Sequence, residues 1–289
     1  MATVRRCCRL LLACLVLLAP GLAPAQHTLT GELPKPAGLA GPRLVVVYGA
    51  TGRTGRLVLQ ELQRRSDLAV RAVARDPARV GELKPLAQWV EGDVTAPDTL
   101  AATLRGATYV ICTIGATDRS GPNSPEFVDY GGVRNLADAA REAGVAQFVL
   151  VSSMGVESGG GVVGWVLNLL SGDALKWKLK GENHLRQSGV PYTIIRPGGL
   201  TDKPGATTGI RFQQGDQGMG SISRADVAAV VVAAVGEPAA LGRTFEIRAD
   251  GKLPVGMWRG QFARLQADPL PVPRREVPAG PPARASGRD

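Results

Sequence analysis

Histidine is nearly missing from this 289-residue chain, which has only His27 and His184. The four cysteines, Cys7, Cys8, Cys14 and Cys112, lie at no ligand spacing from them. Together these scarcities exclude a Cys/His metal centre, and no metal is expected. Three of the cysteines fall near the N-terminus, so a chain that loses its leader keeps Cys112 alone and can form no internal disulfide. Within Tyr109-Val110-Ile111-Cys112, that cysteine reads as a small core residue rather than a nucleophile. Aromatic residues make up only 4% of the chain, and no basic run is interleaved with them. Nucleic-acid binding is therefore not expected despite a formal charge of +9. Tyrosine is absent between Tyr130 and Tyr192. Long apolar runs are lacking too: Leu10 to Leu18 soon meets Pro20-Gly21, short of the roughly 20 residues a membrane span needs.

The first 25 residues nonetheless have the form of a leader. Arg5, Arg6 and Arg9 precede the apolar run, and Ala23-Pro24-Ala25 places small residues where a signal peptidase cuts. Residues 1–25 are thus expected to be a signal peptide. The mature protein would be exported to a periplasmic or secreted location, with no integral membrane span. An uncleaved anchor, or a true start further in with a cytoplasmic product, are the alternatives. Residues 26–42, rich in Pro and Gly, are expected to form an extension. Residues 266–289, poor in apolar side chains, are expected to form a disordered tail.

What is present begins at Leu44-Val45-Val46-Val47-Tyr48, an apolar run that feeds Gly49-Ala50-Thr51-Gly52-Arg53-Thr54-Gly55 and then a helical pattern. A parallel strand ending in such a turn brings backbone N–H groups and a helix N-terminus to one point, where a pyrophosphate can sit. Gly49 suits the tight turn, Gly52 the approach of the phosphates, and Gly55 the close packing of helix on strand. Gly49, Thr51, Gly52, Arg53, Thr54 and Gly55 are the expected contacts of this turn with a dinucleotide.

Further on, apolar runs alternate with helix-length segments. Strands are expected at Ala69–Ala74, Gln88–Val90, Thr108–Cys112, Phe148–Val151, Tyr192–Ile195 and Arg243–Ile247. Helices are expected around Arg53–Arg65, Asp98–Leu104, Val128–Ala143, Ala174–Gln187 and Arg224–Val235, the last capped by Ser223. This order predicts an α/β protein, a Rossmann-like doubly wound parallel sheet over residues 43–265. A small C-terminal substrate-side subdomain is expected near 198–250, where the helical rhythm breaks. The Gly-rich then apolar stretch over 155–172 is expected either to line a pocket or to form a contact surface.

The second strand ends Val73-Ala74-Arg75-Asp76-Pro77. An NAD site places a carboxylate there for the ribose 2′-OH, whereas an NADP site places an arginine. Ala74 stands where the acid would be and Arg75 follows, while Pro77 turns Asp76 into a bend. Arg53, inside the glycine loop, offers a second guanidinium for the 2′-phosphate. NADP is the expected cofactor.

These segments, with Gly92-Asp93-Val94, Val128-Asp129-Tyr130-Gly131-Gly132-Val133-Arg134-Asn135-Leu136, Leu150-Val151-Ser152-Ser153, Tyr192 to Gly198 and Ile222 to Val227, resemble the atypical short-chain dehydrogenase/reductases. They are similar in particular to the small NAD(P)-binding branch that includes flavin/biliverdin-reductase-like proteins and chloroplast NADP-binding relatives. The resemblance covers about residues 43–250. It implies that Asp93 and Val94 flank the adenine and that Thr113 to Ala116, Gly115 among them, run along the cofactor. It further implies that Ser152 and Ser153 face the nicotinamide and that Pro197 approaches its carboxamide.

The superfamily's usual Tyr-x-x-x-Lys pair is missing. Carried over from Trp177-Lys178-Leu179-Lys180, the candidate lysine is Lys180, and Lys176 stands four residues before it. Lys180 is either a ribose-binding lysine or a solvated one. Ser153 with Lys180 are the residues expected near the chemistry. The expected activity is hydride transfer from NADPH to a small redox-active or conjugated acceptor, which needs no dedicated acid. The alternative is a non-catalytic NADP(H)-sensing or partner-docking protein. Nothing in the pattern specifies an oligomer.

Overall fold

In the computed structural model, residues 42–158 and 173–269 are described, all within the larger of two units by contact, Lys35–Asp289. The expected signal peptide over 1–25, all but the last residue of the expected extension over 26–42, residues 159–172 and the chain beyond 269 lie outside the described residues. Strands β1 (Arg43–Tyr48), β2 (Leu68–Ala74), β3 (Gln88–Glu91), β4 (Tyr109–Cys112), β5 (Gln147–Val151), β6 (Tyr192–Pro197), β8 (Gly209–Gln213) and β10 (Arg243–Asp250) form one sheet. Its order is β3-β2-β1-β4-β5-β6-β10-β8. All pairings are parallel except that of β8 with β10.

The sheet is wound on both faces because its central strands are apolar on both. Along β1, Val45 and Val47 face one core, which takes Val58, Leu59 and Leu62 of α1 (Gly55–Leu62). The same core takes Val227, Val230 and Val231 of the helix Arg224–Ala234. Val46 and Tyr48 face the other core, with Leu100 of α2 (Leu100–Thr103), Leu136 of α3 (Val133–Glu142) and Leu185 of α4 (Ala174–Gln187). Each such side chain contributes about 1.5–3 kcal/mol on burial. The helix Arg224–Ala234 is α5, and the hydroxyl of Ser223 caps it by accepting from Asp226 N–H.

The 198–250 segment, expected as a small substrate-side subdomain, contributes to two sheets. Its β8 joins the main sheet as the edge strand, and only β7 (Gly199–Thr201) with β9 (Ser221–Ser223) makes a second, two-stranded ladder. Unpaired edge N–H and C=O groups are a liability, and here Gln261 takes one of each: it accepts from Phe212 N–H and donates to the Ile210 carbonyl. Of the stretch 266–289 expected as a tail, residues 266–269 are described, and Asp268 there accepts from Tyr192 Oη and from Thr244 N–H. Among the described residues, no helix is long and apolar enough to cross a membrane, and no cluster of His, Cys, Asp or Glu could hold a metal.

Candidate functional site

Strand order reverses between β1 and β4, and a ligand crevice opens at the carboxyl ends of strands at such a point. A cavity of about 550 Å³ lies there, lined by the glycine loop, by Ala74 and Arg75 at the end of β2, by Asp93 and Val94 after β3, and by Thr113 to Thr117 after β4. It continues into a second cavity of about 600 Å³ past Thr54, Thr113, Ile114, Gly115, Leu200 and Arg224, which border both. The second cavity is walled by Ser152, Ser153 and Met154, by Leu175 and Lys178 of α4, and by Pro197 and Met219.

The glycines of the loop are set by contact. Gly49 has φ of +74°, and a Cβ on it would lie 2.7 Å from the Thr113 backbone. A Cβ on Gly55 would lie 2.1 Å from the Gly49 carbonyl oxygen, so α1 can begin against the turn only with glycine there. Thr54 makes no side-chain cap, which leaves the first amides of α1 without a side-chain acceptor, as an anion site requires. Thr113 ties the two strand ends together by donating to the carbonyls of Tyr48 and Gly49.

At the far end, Arg75 donates to Asn123 Oδ1 at 3.0 Å, and both line the cavity. Asp76 turns away and accepts from Ala78 N–H, capping a single 3-10 turn. Arg53 lines the same cavity and pairs with Asp202. No carboxylate of β2 therefore faces the groove.

One expected residue is displaced. Lys180 does not reach either cavity: its ammonium lies 4.1 Å from the centre of the Trp177 ring and 5.8 Å from that of Tyr130. The lysine in the groove is Lys178. Two residues along a helix differ by about 200°, so the two lysines cannot share a face. Lys178 occupies the stripe of Gly181, Glu182 and Leu185, which are buried, and it donates to Asp129 Oδ1 at 2.8 Å. Four residues before Lys178 stands Ala174, also on the cavity wall. The Tyr-x-x-x-Lys pair is absent with this lysine as well.

Asp129 is 3% exposed, and two features put it there. The expected helix from Val128 begins instead as a wide π-helical turn, Glu126–Gly132, before α3. The α4 backbone then packs onto that turn at Gly181, where a Cβ would lie 2.6 Å from the Asp129 carbonyl oxygen. A side chain at 181 would hold Lys178 away from its partner.

Other residues of the site were hidden in the sequence. Arg224, the first residue of α5, borders both cavities and pairs with Asp202 at 2.8 Å. Asp216, buried in the 214–218 turn, accepts from the amides of Gly155, Glu157 and Ser158 and so holds the loop after β5. Burial opposes its ionisation, but those amides keep its carboxyl below the usual range. Ser152 Oγ is buried against the second cavity with no partner among the described residues, as a hydroxyl waiting for a ligand would be. Cys112 stays in the core, where burial pushes its thiol up to about 12. These donors, the forced glycines and the orphaned hydroxyl fit a dinucleotide.

The NAD(P)H-binding family model matches residues 49–238. An uncharacterized chloroplastic protein of Arabidopsis thaliana is 36% identical over 233 residues, covering 77% of this chain and 82% of that protein. Sanguinarine reductase of Eschscholzia californica is 31% identical over 252 residues, covering 74% of this chain and 90% of its own length. The solved structure of ChuY, an anaerobilin reductase of Escherichia coli O157:H7, superposes with a TM-score of 0.60 at 26% identity, over 73% of this chain and all of that one. The chain therefore belongs to the NAD(P)H-binding family of Rossmann-fold proteins, among the atypical short-chain dehydrogenase/reductases.

Proposed function

We propose that the protein is an NADP(H)-dependent reductase that passes hydride to a conjugated, redox-active acceptor. The observation that carries this reading is the continuity of the two cavities, which border each other along Thr54, Gly115, Leu200 and Arg224. A dinucleotide laid with its adenosine at Val94 and its phosphates on the glycine loop directs its nicotinamide into the second cavity. The bound cofactor supplies the hydride. Arg53 and Arg75 hold the 2′-phosphate, and Gly49, Thr51, Gly52, Thr54 and Gly55 hold the pyrophosphate. Asp93 and Val94 border the adenosine, and Thr113 and Gly115 run beside the phosphates.

Lys178, fixed by Asp129, donates to the nicotinamide ribose or to an acceptor oxygen. Ser152 Oγ donates to the carboxamide beside Pro197, and Ser153 meets the acceptor. The apolar rim of Leu175, Leu200 and Met219 suits a flat, conjugated molecule, and the similarity to sanguinarine reductase and to an anaerobilin reductase supports a reductase reading. Such acceptors need no tyrosine acid, since water can supply the proton. Purified protein given NADPH with flavins, quinones and conjugated iminium compounds is expected to oxidise the cofactor with at least one of them. Cofactor binding without oxidation across the panel would remove the reductase reading.

A second reading, a nucleotide-binding protein without turnover, is favoured by Ala174 standing where a proton-relaying tyrosine would precede Lys178. The same panel decides between them. The basic and apolar leader supports a protein directed out of the compartment where it is made, and mass spectrometry of the native N-terminus tests that.

A further inference from the structure

Asp202 follows β7 and binds two arginines at once. One carboxylate oxygen pairs with Arg53 of the glycine loop, and the other accepts from Arg224 Nη1 at 2.8 Å. The partners differ in burial: the side chains of Asp202 and Arg53 are 60% and 65% exposed, whereas that of Arg224 is 13% exposed. Arg224 Nε is buried with no hydrogen-bond partner among the described residues. The arginine is therefore fixed in the wall of the groove with donor capacity to spare, and the carboxylate is the solvated, replaceable partner.

We propose that Arg224 is a phosphate-binding residue of the cofactor groove, occupied by Asp202 until the nucleotide's phosphates displace that carboxylate. The inference rests on the reading of the groove as a dinucleotide site. Arg224 borders both cavities, so it stands where the phosphates between an adenosine and a nicotinamide must cross. A guanidinium presents a planar fork that carboxylate and phosphate compete for. The single contact with Asp202 leaves Nε unused, whereas a phosphate taken on two nitrogens would satisfy it. Asp202 is then a built-in competitor that weakens nucleotide binding and keeps two cations from repelling each other when the groove is vacant.

The test is titration of NADPH and of NADH into the wild type, Asp202→Asn, Arg224→Gln, Arg224→Lys and the Asp202→Asn/Arg224→Gln pair, followed by calorimetry, with thermal melts as a check on folding. Asp202→Asn is expected to tighten both nucleotides by about two- to fivefold, the range of an exposed ion pair. Arg224→Gln is expected to weaken both by about tenfold or more, as for a lost charged hydrogen bond. Arg224→Lys falls between, since the charge remains and the fork is lost. In the Arg224→Gln background, the gain from Asp202→Asn shrinks. Weaker or unchanged binding by Asp202→Asn, or wild-type binding by a folded Arg224→Gln, overturns the proposal while leaving the dinucleotide reading intact. A wild type that binds neither nucleotide overturns that reading, and this inference with it.

Discussion

Lys178 Nζ lies 2.8 Å from Asp129 Oδ1, joining α4 to the π-helical turn before α3 at the wall of the second cavity. The carboxylate is 2% exposed at its side chain and the lysine 21%, so removing the cation leaves a buried acid with no counter-charge. Lys178→Met is expected to lower stability by about 1–3 kcal/mol, the cost of an unsatisfied buried group. Adding Asp129→Asn should recover most of it. The same lysine variant is expected to lower the rate of NADPH oxidation, whereas Lys180→Ala, at a lysine whose ammonium lies over the Trp177 and Tyr130 rings, leaves it unchanged. Urea melts and steady-state rates on the variants check both halves. An equal loss of rate in Lys180→Ala would return the role to that residue.

The proposed preference for NADP rests on the strand end. Ala74 offers nothing to a ribose hydroxyl, and Arg53 and Arg75 both line the cavity. The variant Arg53→Ala/Arg75→Ala is expected to weaken NADPH by about tenfold or more, as two partly exposed phosphate contacts would. NADH, which lacks the 2′-phosphate, should change much less. Fluorescence titration with the two cofactors reads the ratio, and equal losses would show that neither arginine meets that phosphate.

Legibility in the sequence ran with locality. The alternation of strands and helices is a local pattern, so Ala174–Gln187 and the Ser223 cap matched the structure at the residue. Gly49 and Gly55 were readable because sterics leave no alternative there. The position of Lys178 rather than Lys180 on the cavity wall was not, because both flank Leu179 and the carried-over motif ignored helical phase. The i, i+3, i+4, i+7 spacing of Lys178, Gly181, Glu182 and Leu185 held the signal. Asp202 with Arg224, and Asp216 with the loop after β5, are pairings between distant segments that no local pattern encodes. For the same reason β8 read as part of a subdomain, although its partner β10 makes it the edge of the main sheet.

On β6, Arg196 is buried with Glu182 and Glu246, and it reaches Glu157 on the loop after β5. Burial pushes the Glu246 carboxyl up to about 7, against the pull of Arg196, and its Oε2 has no partner among the described residues. A carboxyl whose pKa is raised on folding holds its proton more tightly in the folded state. Its contribution is fully present below its ordinary value, near 4.5, and is lost as pH rises to about 7. Glu246→Gln should remove that slope, so that the stability of the variant relative to wild type rises as pH goes from about 4.5 to about 7. Urea unfolding of both proteins across this range is the measurement. A difference that stays constant with pH would mean that Glu246 is ionised throughout.

Gly55 separates the cofactor loop's geometry from its chemistry. A methyl group there would lie 2.1 Å from the Gly49 carbonyl oxygen and 2.8 Å from the Ala50 Cα, both backbone atoms, so no side chain can move aside to admit it. Gly55→Ala must therefore push α1 away from the turn, although alanine favours a helix interior by about 1 kcal/mol over glycine. Sterics outweigh propensity at this site, and the expected result is a less stable protein that binds NADPH at least about tenfold more weakly, one charged contact's worth. Gly106, which unlike Gly55 has a positive φ, of +73°, and has open space around its Cβ position, is the control: Gly106→Ala strains one residue of backbone and should leave nucleotide affinity unchanged. If Gly55→Ala bound NADPH as the wild type does, the phosphates would not rest on the first turn of α1, and the cofactor would have to enter the groove by another edge.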